Sequence, residues 1–221
     1  MATALPPSAP VSAYDTLADL LESIGDVPLT RIRANPAPGT ATEKDVVAIR
    51  DRERRLYELV DGVLVEKTMG CYESILALEI AHLIQTFLDH HDLGVVAGEG
   101  GMIRFPPGVR IPDVSFVAWT ALPSTEALHQ PILATAPALA VEVLSKKNTR
   151  KEMARKLREY FDGGVEQVWY LDPKKRTMQV FSAIDRSTIF DENSLVDGGD
   201  VLPGFTMRVA DVFARADRKR P

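Results

Sequence analysis

Cysteine is almost missing from this chain. Cys71 is the single one in 221 residues, so no disulfide can form within it. That economy fits a reducing compartment, and a cytoplasmic location is expected. No motif surrounds Cys71, which reads as a small, partly buried residue rather than a nucleophile. Histidine is also scarce, at 4 residues. His82, His90 and His91 show no metal-ligand spacing with another donor and read as surface residues. No apolar run approaches the roughly 18 residues of a membrane span. The start, Met1-Ala2-Thr3-Ala4-Leu5-Pro6-Pro7, lacks the basic-then-apolar layout of a signal peptide. Neither an internal repeat nor a phosphate-binding loop is present. Gly98, Gly100 and Gly101 precede no Gly-Lys-Ser/Thr and no helix, so a turn or bulge is expected there. An excess of positive charge is missing too. The 26 basic residues face 31 acidic ones, a net charge of −5, which counts mildly against a nucleic-acid-coating protein and leaves the local distribution to decide.

What is present is the profile of an ordinary globular protein, 45% hydrophobic and 26% charged. The length suits one large domain or a domain with extensions. Residues 1–41 read as an N-terminal extension. Within it, 1–12 are Pro-, Ala- and Ser-rich and expected to be disordered, a short amphipathic helix runs over 15–24, and a Pro-rich extended linker follows over 26–41. The main domain is expected over 42–214, with a polar tail over 215–221. Thr42 is a candidate N-cap for a helix over 43–51. Two apolar runs, 56–60 and 63–66, flank Asp61-Gly62, a strong hairpin signal because a type I′ turn needs two positive φ values. A long helix covers 72–90, with Leu76, Ile80, Leu83, Ile84 and Phe87 on one stripe. Strands follow near 95–97 and 102–105, then over 109–119, where Pro112 forces a bulge or an edge. The near-continuous apolar run 137–144 marks a strand covered on both faces. A helix over 150–162, capped by Thr149 or Asn148, leads to a strand over 166–172. That length is a strand-helix-strand crossover, so the two strands are expected to be parallel. Strands over 177–184 and 187–196 and a short helix near 209–214 complete the chain.

Three acids stand out because they interrupt apolar strands. Glu58, Asp113 and Glu142 lie among Val, Ile, Leu and Phe, and a buried carboxylate is costly unless it is paired or coordinates a metal. For Glu58, a site acid and an edge-strand charge are equally open. Asp113 and Glu142, on strands that could be neighbours, offer the one or two carboxylates that Mg²⁺ (or Mn²⁺) takes, and Val143 adds a main-chain carbonyl. Seven basic residues crowd the 13 positions from Lys146 to Arg158. Of these, Lys156 lies on the flank of the helix's core face beside Tyr160 and reaches inward most readily. Two acids, a lysine and a divalent cation form a minimal set for phosphodiester hydrolysis. The basic helix argues against the other chemistry of paired carboxylates, glycoside hydrolysis.

Ile111-Pro112-Asp113-Val114 followed by Val141-Glu142-Val143-Leu144-Ser145 resembles the PD-(D/E)xK nuclease superfamily. More narrowly it resembles the Uma-two family (putative restriction endonucleases). Tyr57-Glu58-Leu59-Val60-Asp61-Gly62, Lys156 with Tyr160, Gly164-Val165 with Val168-Trp169 and Asp172-Pro173, and Gly199-Asp200 with Leu202-Pro203-Gly204-Phe205 match that family's pattern in order, over about residues 42–214. The resemblance implies an α/β restriction-endonuclease-like fold, a mixed central sheet flanked by helices. It implies a metal-dependent endonuclease acting on DNA, with Asp113 and Glu142 on the metal and Glu58 as a further acid. A homodimer is a natural arrangement for cutting two strands, and no membrane is involved. One departure matters. The superfamily's usual lysine lies two residues after the acid, where this chain has Leu144. Lys156 or Lys146 is left to supply it, and the position of Lys156 favours it. If neither does, the fold is a binding module for nucleic acid or protein.

Overall fold

The computed structural model describes residues 14–106 and 108–218, so the expectation of disorder over 1–12 lies outside the described residues. Two main sheets carry the structure. The smaller has four strands in the order β2-β1-β5-β4, formed by β1 (Tyr57–Val60), β2 (Val63–Glu66), β4 (Ile103–Phe105) and β5 (Gly108–Arg110). The larger has six, in the order β10-β9-β8-β7-β6-β3, formed by β3 (Gly94–Gly98), β6 (Val114–Ala118), β7 (Leu139–Val143), β8 (Gln167–Asp172), β9 (Thr177–Ala183) and β10 (Arg186–Phe190). β11 (Leu195–Asp197) and β12 (Thr206–Arg208) form a separate two-stranded ribbon. The helices are α1 (Leu17–Ser23), α2 (Glu43–Glu53), α3 (Cys71–Leu88), α4 (Arg150–Asp162) and α5 (Val209–Ala214). No helix among the described residues is long and apolar enough to cross a membrane.

Local chemistry accounts for the elements that position the site. At the β1–β2 hairpin, Asp61 and Gly62 adopt φ of 48° and 75°, the two positive values that the tight turn demands. The turn fixes the register, Val60 opposite Val63 and Glu58 opposite Val65. α4 opens with a capping box: Thr149 Oγ1 accepts from the Glu152 N–H at 2.9 Å, and the Glu152 carboxylate accepts from the Thr149 N–H at 3.3 Å. Between them β7 and β8 run parallel, joined by this helix, as the crossover length requires.

β7 separates two cores by its two-residue period. Leu139, Val141 and Val143 face α3 and pack with Leu76, Ile80 and Trp169. Ala140 faces α4, where Met153, Leu157, Tyr160 and Val168 pack, and Glu142 points the same way, to Lys156. Ile80 is fully buried under the large sheet, so truncating it to Ala would cost about 2–5 kcal/mol.

Four expectations change. The stretch 187–196 is not one strand: β10 ends at Phe190 in the large sheet, and Leu195 and Val196 belong to β11 in the separate ribbon. The run 109–119 is not one bulged strand. β5 ends in the small sheet at Arg110, and β6 begins in the large sheet at Val114. Pro112 has no N–H to continue a ladder, and the chain crosses between sheets there. Cys71 is exposed at the start of α3, because the apolar stripe of that helix faces elsewhere. The stretch after α1 is not a free linker: Ile32 bridges to Val65, and Arg31 is buried.

Candidate active site

The crossing from one sheet to the other sets up the site. Asp113 sits at the mouth of β6, its N–H donating to the Val141 carbonyl at 3.0 Å. Its Oδ2 accepts from the Val143 N–H at 2.6 Å. Glu142, one residue earlier on β7, faces α4 and meets Lys156 there: Lys156 Nζ lies 2.9 Å from Glu142 Oε1 and 2.9 Å from Glu58 Oε1. The Tyr160 hydroxyl donates to the same Glu142 oxygen. Glu58 also accepts from the Ile111 N–H at 3.1 Å and pairs with Arg110 at 2.9 Å. Arg110 in turn meets Glu159 at 2.5 Å. Glu58 is fully buried and β1 is an internal strand, so the edge-strand alternative falls away.

The structure therefore brings together Glu58, Asp113, Glu142 and Lys156. It does not bring Lys146, which is exposed on the loop before α4. Val143 lines the same small cavity as the acids, and its recorded contact to the site is its N–H on Asp113 rather than its carbonyl.

The sequence reading missed Arg110, with its partner Glu159, and Lys67. Lys67, just past β2, puts its Nζ 2.7 Å from Asp113 Oδ1 and 3.2 Å from Glu142 Oε2, with 6% of its side chain exposed. A signal for it existed. The two-residue turn places Glu58 opposite Val65, and Lys67 lies two residues beyond Val65, on the same face. The hairpin alone thus makes Lys67 a diagonal neighbour of Glu58.

The electrostatics follow from burial and pairing. Burial pushes the Glu58 carboxyl up, but Lys156, Arg110 and Lys67 outweigh it and hold the group well below the usual carboxylate range. For Asp113, burial is the largest influence and Glu142 adds to it, so its carboxyl is raised despite Lys67. Burial also works upward on Glu142, where Lys156 and Lys67 win and leave it lowered. Burial would lower the Lys67 ammonium, yet Asp113, Glu142 and Glu58 hold it above the usual lysine value. Burial and the neighbouring carboxylates push the Tyr160 hydroxyl well up, so it stays a neutral donor.

The donor set fits a hard divalent cation in a specific way. Asp113 Oδ1 and Glu142 Oε2 come from adjacent strands and converge on one cationic centre, now the Lys67 ammonium. They adjoin a cavity of about 10 Å³, the scale of one water-sized occupant. Among the described residues, no group of three or more His, Cys, Asp or Glu side chains is arranged around a metal position. A metal here would rest on two carboxylates, with waters or main chain completing its shell, the pattern Mg²⁺ favours.

A family model named Uma2 and described as "Putative restriction endonuclease" matches residues 44–210. The chain belongs to the Uma2 family. No curated protein matches the chain. Among solved structures, that of a putative nuclease belonging to DUF820 from Anabaena variabilis ATCC 29413 is similar, with a TM-score of 0.64, 20% identity, and coverage of 72% of this chain and 90% of that one. At that identity the likeness establishes the fold. This Uma2 chain thus has the mixed α/β architecture of a nuclease-fold neighbour, mixed sheets flanked by helices, and belongs to a family described by nuclease function.

Proposed function

We propose that the protein is a metal-dependent endonuclease that hydrolyses DNA phosphodiester bonds. The observation that carries this reading is the convergence of Asp113 and Glu142 on one cationic centre, with Lys156 on the other oxygen of Glu142. Asp113 and Glu142 would hold Mg²⁺ or Mn²⁺. The ion would supply a more acidic bound water and offset charge on the phosphate.

The chain's own residues have separable roles. Glu58 is a positioning residue: it fixes the Lys156 ammonium from one side while Glu142 holds it from the other. Lys156 carries a positive charge beside the acids, where it can orient the attacking water and stabilise the negative charge that develops as the P–O bond to water forms and the bond to the leaving oxygen breaks. The Tyr160 hydroxyl occupies one lone pair of Glu142 and so orients the carboxylate. Lys156 thereby takes the part of the lysine absent at Leu144. A homodimer would present two such sites to two strands, and light scattering of the purified protein tests that arrangement.

The test of function is cleavage of supercoiled plasmid and of single-stranded DNA, with Mg²⁺, with Mn²⁺ and with chelator, beside Asp113→Ala and Glu142→Ala. Cleavage is expected only with metal and in neither variant. Retained cleavage in either one would refute the site assignment. One observation favours a second reading, a catalytically inactive module that binds nucleic acid or protein. Lys67, Arg110 and Lys156 already balance Glu58, Asp113 and Glu142, and Arg155 balances the Glu159 that Arg110 also meets, so the cluster is charge-neutral without a metal. Absence of Mn²⁺ binding by calorimetry to the intact protein would support that alternative.

A further inference from the structure

One flank of α4, carrying Arg150, Met153, Ala154 and Leu157, borders a groove of about 970 Å³, at the upper end of the roughly 300–1,000 Å³ typical of ligand pockets. It meets the acid cavity at Glu73, Ser145 and Asn148, which line both. Its floor is apolar, formed by Leu144, Met153, Leu157, Tyr170 and Phe181. Its rim carries Lys146, Arg150 and Lys174, all exposed, with the half-buried acids Glu73 and Asp172 among them, so cations exceed acids by one. None of the three cations forms an ion pair among the described residues, whereas the arginines of the site and most others are paired.

Two features select the occupant. Three free cations call for a polyanion that follows the rim. An apolar floor calls for flat apolar faces, which duplex DNA hides in its stack and a single strand exposes. We propose that this groove binds an unpaired segment of DNA, with its phosphates on Lys146, Arg150 and Lys174 and its bases on the floor, leading the strand to the acid site. This deepens the nuclease reading and rests on it for the choice of DNA. The substrate class is then DNA with a single-stranded stretch: a flap, a gap, a bubble or a free strand.

Binding is measured by fluorescence anisotropy with the full chain in chelator, so that no cleavage intervenes. The probes are a fluorescein-labelled oligonucleotide, the same sequence as a blunt duplex, and an abasic strand of equal length. The single strand should bind about tenfold or more tightly than either comparator. Lys146→Ala, Arg150→Ala and Lys174→Ala combined should remove that preference. They should also lower the slope of log K against log salt by about 2, at roughly 0.7 per phosphate contact for three contacts. The three positions are exposed and unpaired, so the variant should keep the wild-type melting temperature. Equal binding of strand, duplex and abasic strand, or an unchanged affinity in the triple variant, overturns the groove assignment. Plasmid cleavage in Mn²⁺ is scored separately. Cleavage that persists while the groove test fails refutes the groove alone. Single-strand binding through the rim with no cleavage under any metal refutes the nuclease reading alone.

Discussion

Replacing Lys67 by Met gives the most direct probe of the site. Its ammonium lies 2.7 Å from Asp113 and 3.2 Å from Glu142, and its side chain is 6% exposed. The substitution keeps the length of the side chain and removes the charge, leaving two carboxylates on adjacent strands facing one another. Removing one partner of a buried ionic cluster costs about 3–5 kcal/mol, chiefly because the remaining charge is stranded. For a chain of this size, each kcal/mol moves the melting temperature by roughly 2–4 °C, so Lys67→Met should melt about 6–20 °C below wild type in chelator. A divalent ion can then take the vacated position without displacing anything. At a hundredfold excess over its Kd, Mn²⁺ restores about 2.7 kcal/mol. Differential scanning fluorimetry with and without Mn²⁺ reads both effects, and calorimetry reads the affinity. Mn²⁺ should stabilise the variant more than the wild type and bind it more tightly. If the variant melts with wild type in chelator, or if Mn²⁺ stabilises the wild type as much or more, the reasoning that Lys67 and the metal compete for one position is wrong.

Glu58→Gln should reveal its pairing through pH. The Glu58 carboxyl is held below its usual value of 4.5 in the folded state, so the unfolded chain binds its proton first. The stabilisation is fully present above about pH 4.5 and fades as the pH falls below it. The gap between the urea midpoints of wild type and variant should therefore be full at pH 6, narrow steadily below about pH 4.5 and still be open at pH 3; a constant gap would contradict the pairing. Gly62→Ala should destabilise by about 1 kcal/mol or more, because the residue sits at φ 75° and a Cβ would lie 2.5 Å from the Gly39 carbonyl oxygen. Chemical denaturation measures it, and a neutral result would mean that the 39–41 segment moves aside. Tyr160→Phe leaves Glu142 short of one donor and should cost about 1–3 kcal/mol, with the fold kept by circular dichroism; an unchanged midpoint would mean that water replaces the hydroxyl.

The parts of the fold legible in the sequence were those set by short-range rules. Asp61-Gly62 gave the hairpin, Thr149 or Asn148 gave the start of α4, and the near-continuous apolar run around Val141 gave a strand covered on both faces. The acids were legible as carboxylates set where water is absent. What resisted reading depended on contacts far apart in sequence. Pro112 showed that a ladder must stop, but whether the chain bulges or changes sheets depends on where β1 and β7 lie. Lys67 was not singled out, because its two partners come from residues 113 and 142. Arg31 looked like part of a linker, because the acid it meets lies 121 residues away.

That last contact has a practical consequence. Arg31 forks onto both oxygens of Glu152 at 2.8 and 2.9 Å, the Gly25 carbonyl accepts from the Thr149 hydroxyl, and the Ser23 carbonyl accepts from Arg155. Gly25 approaches so closely that a Cβ there would lie 2.6 Å from the Glu152 backbone. The residues that match the family begin at 44, yet the helix that aims Lys156 is held by residues 23–31. A protein trimmed to the family boundary would keep every acid and lysine of the cluster and lose the brace that aims one of them. Inactivity of such a fragment would report on the brace rather than on the chemistry.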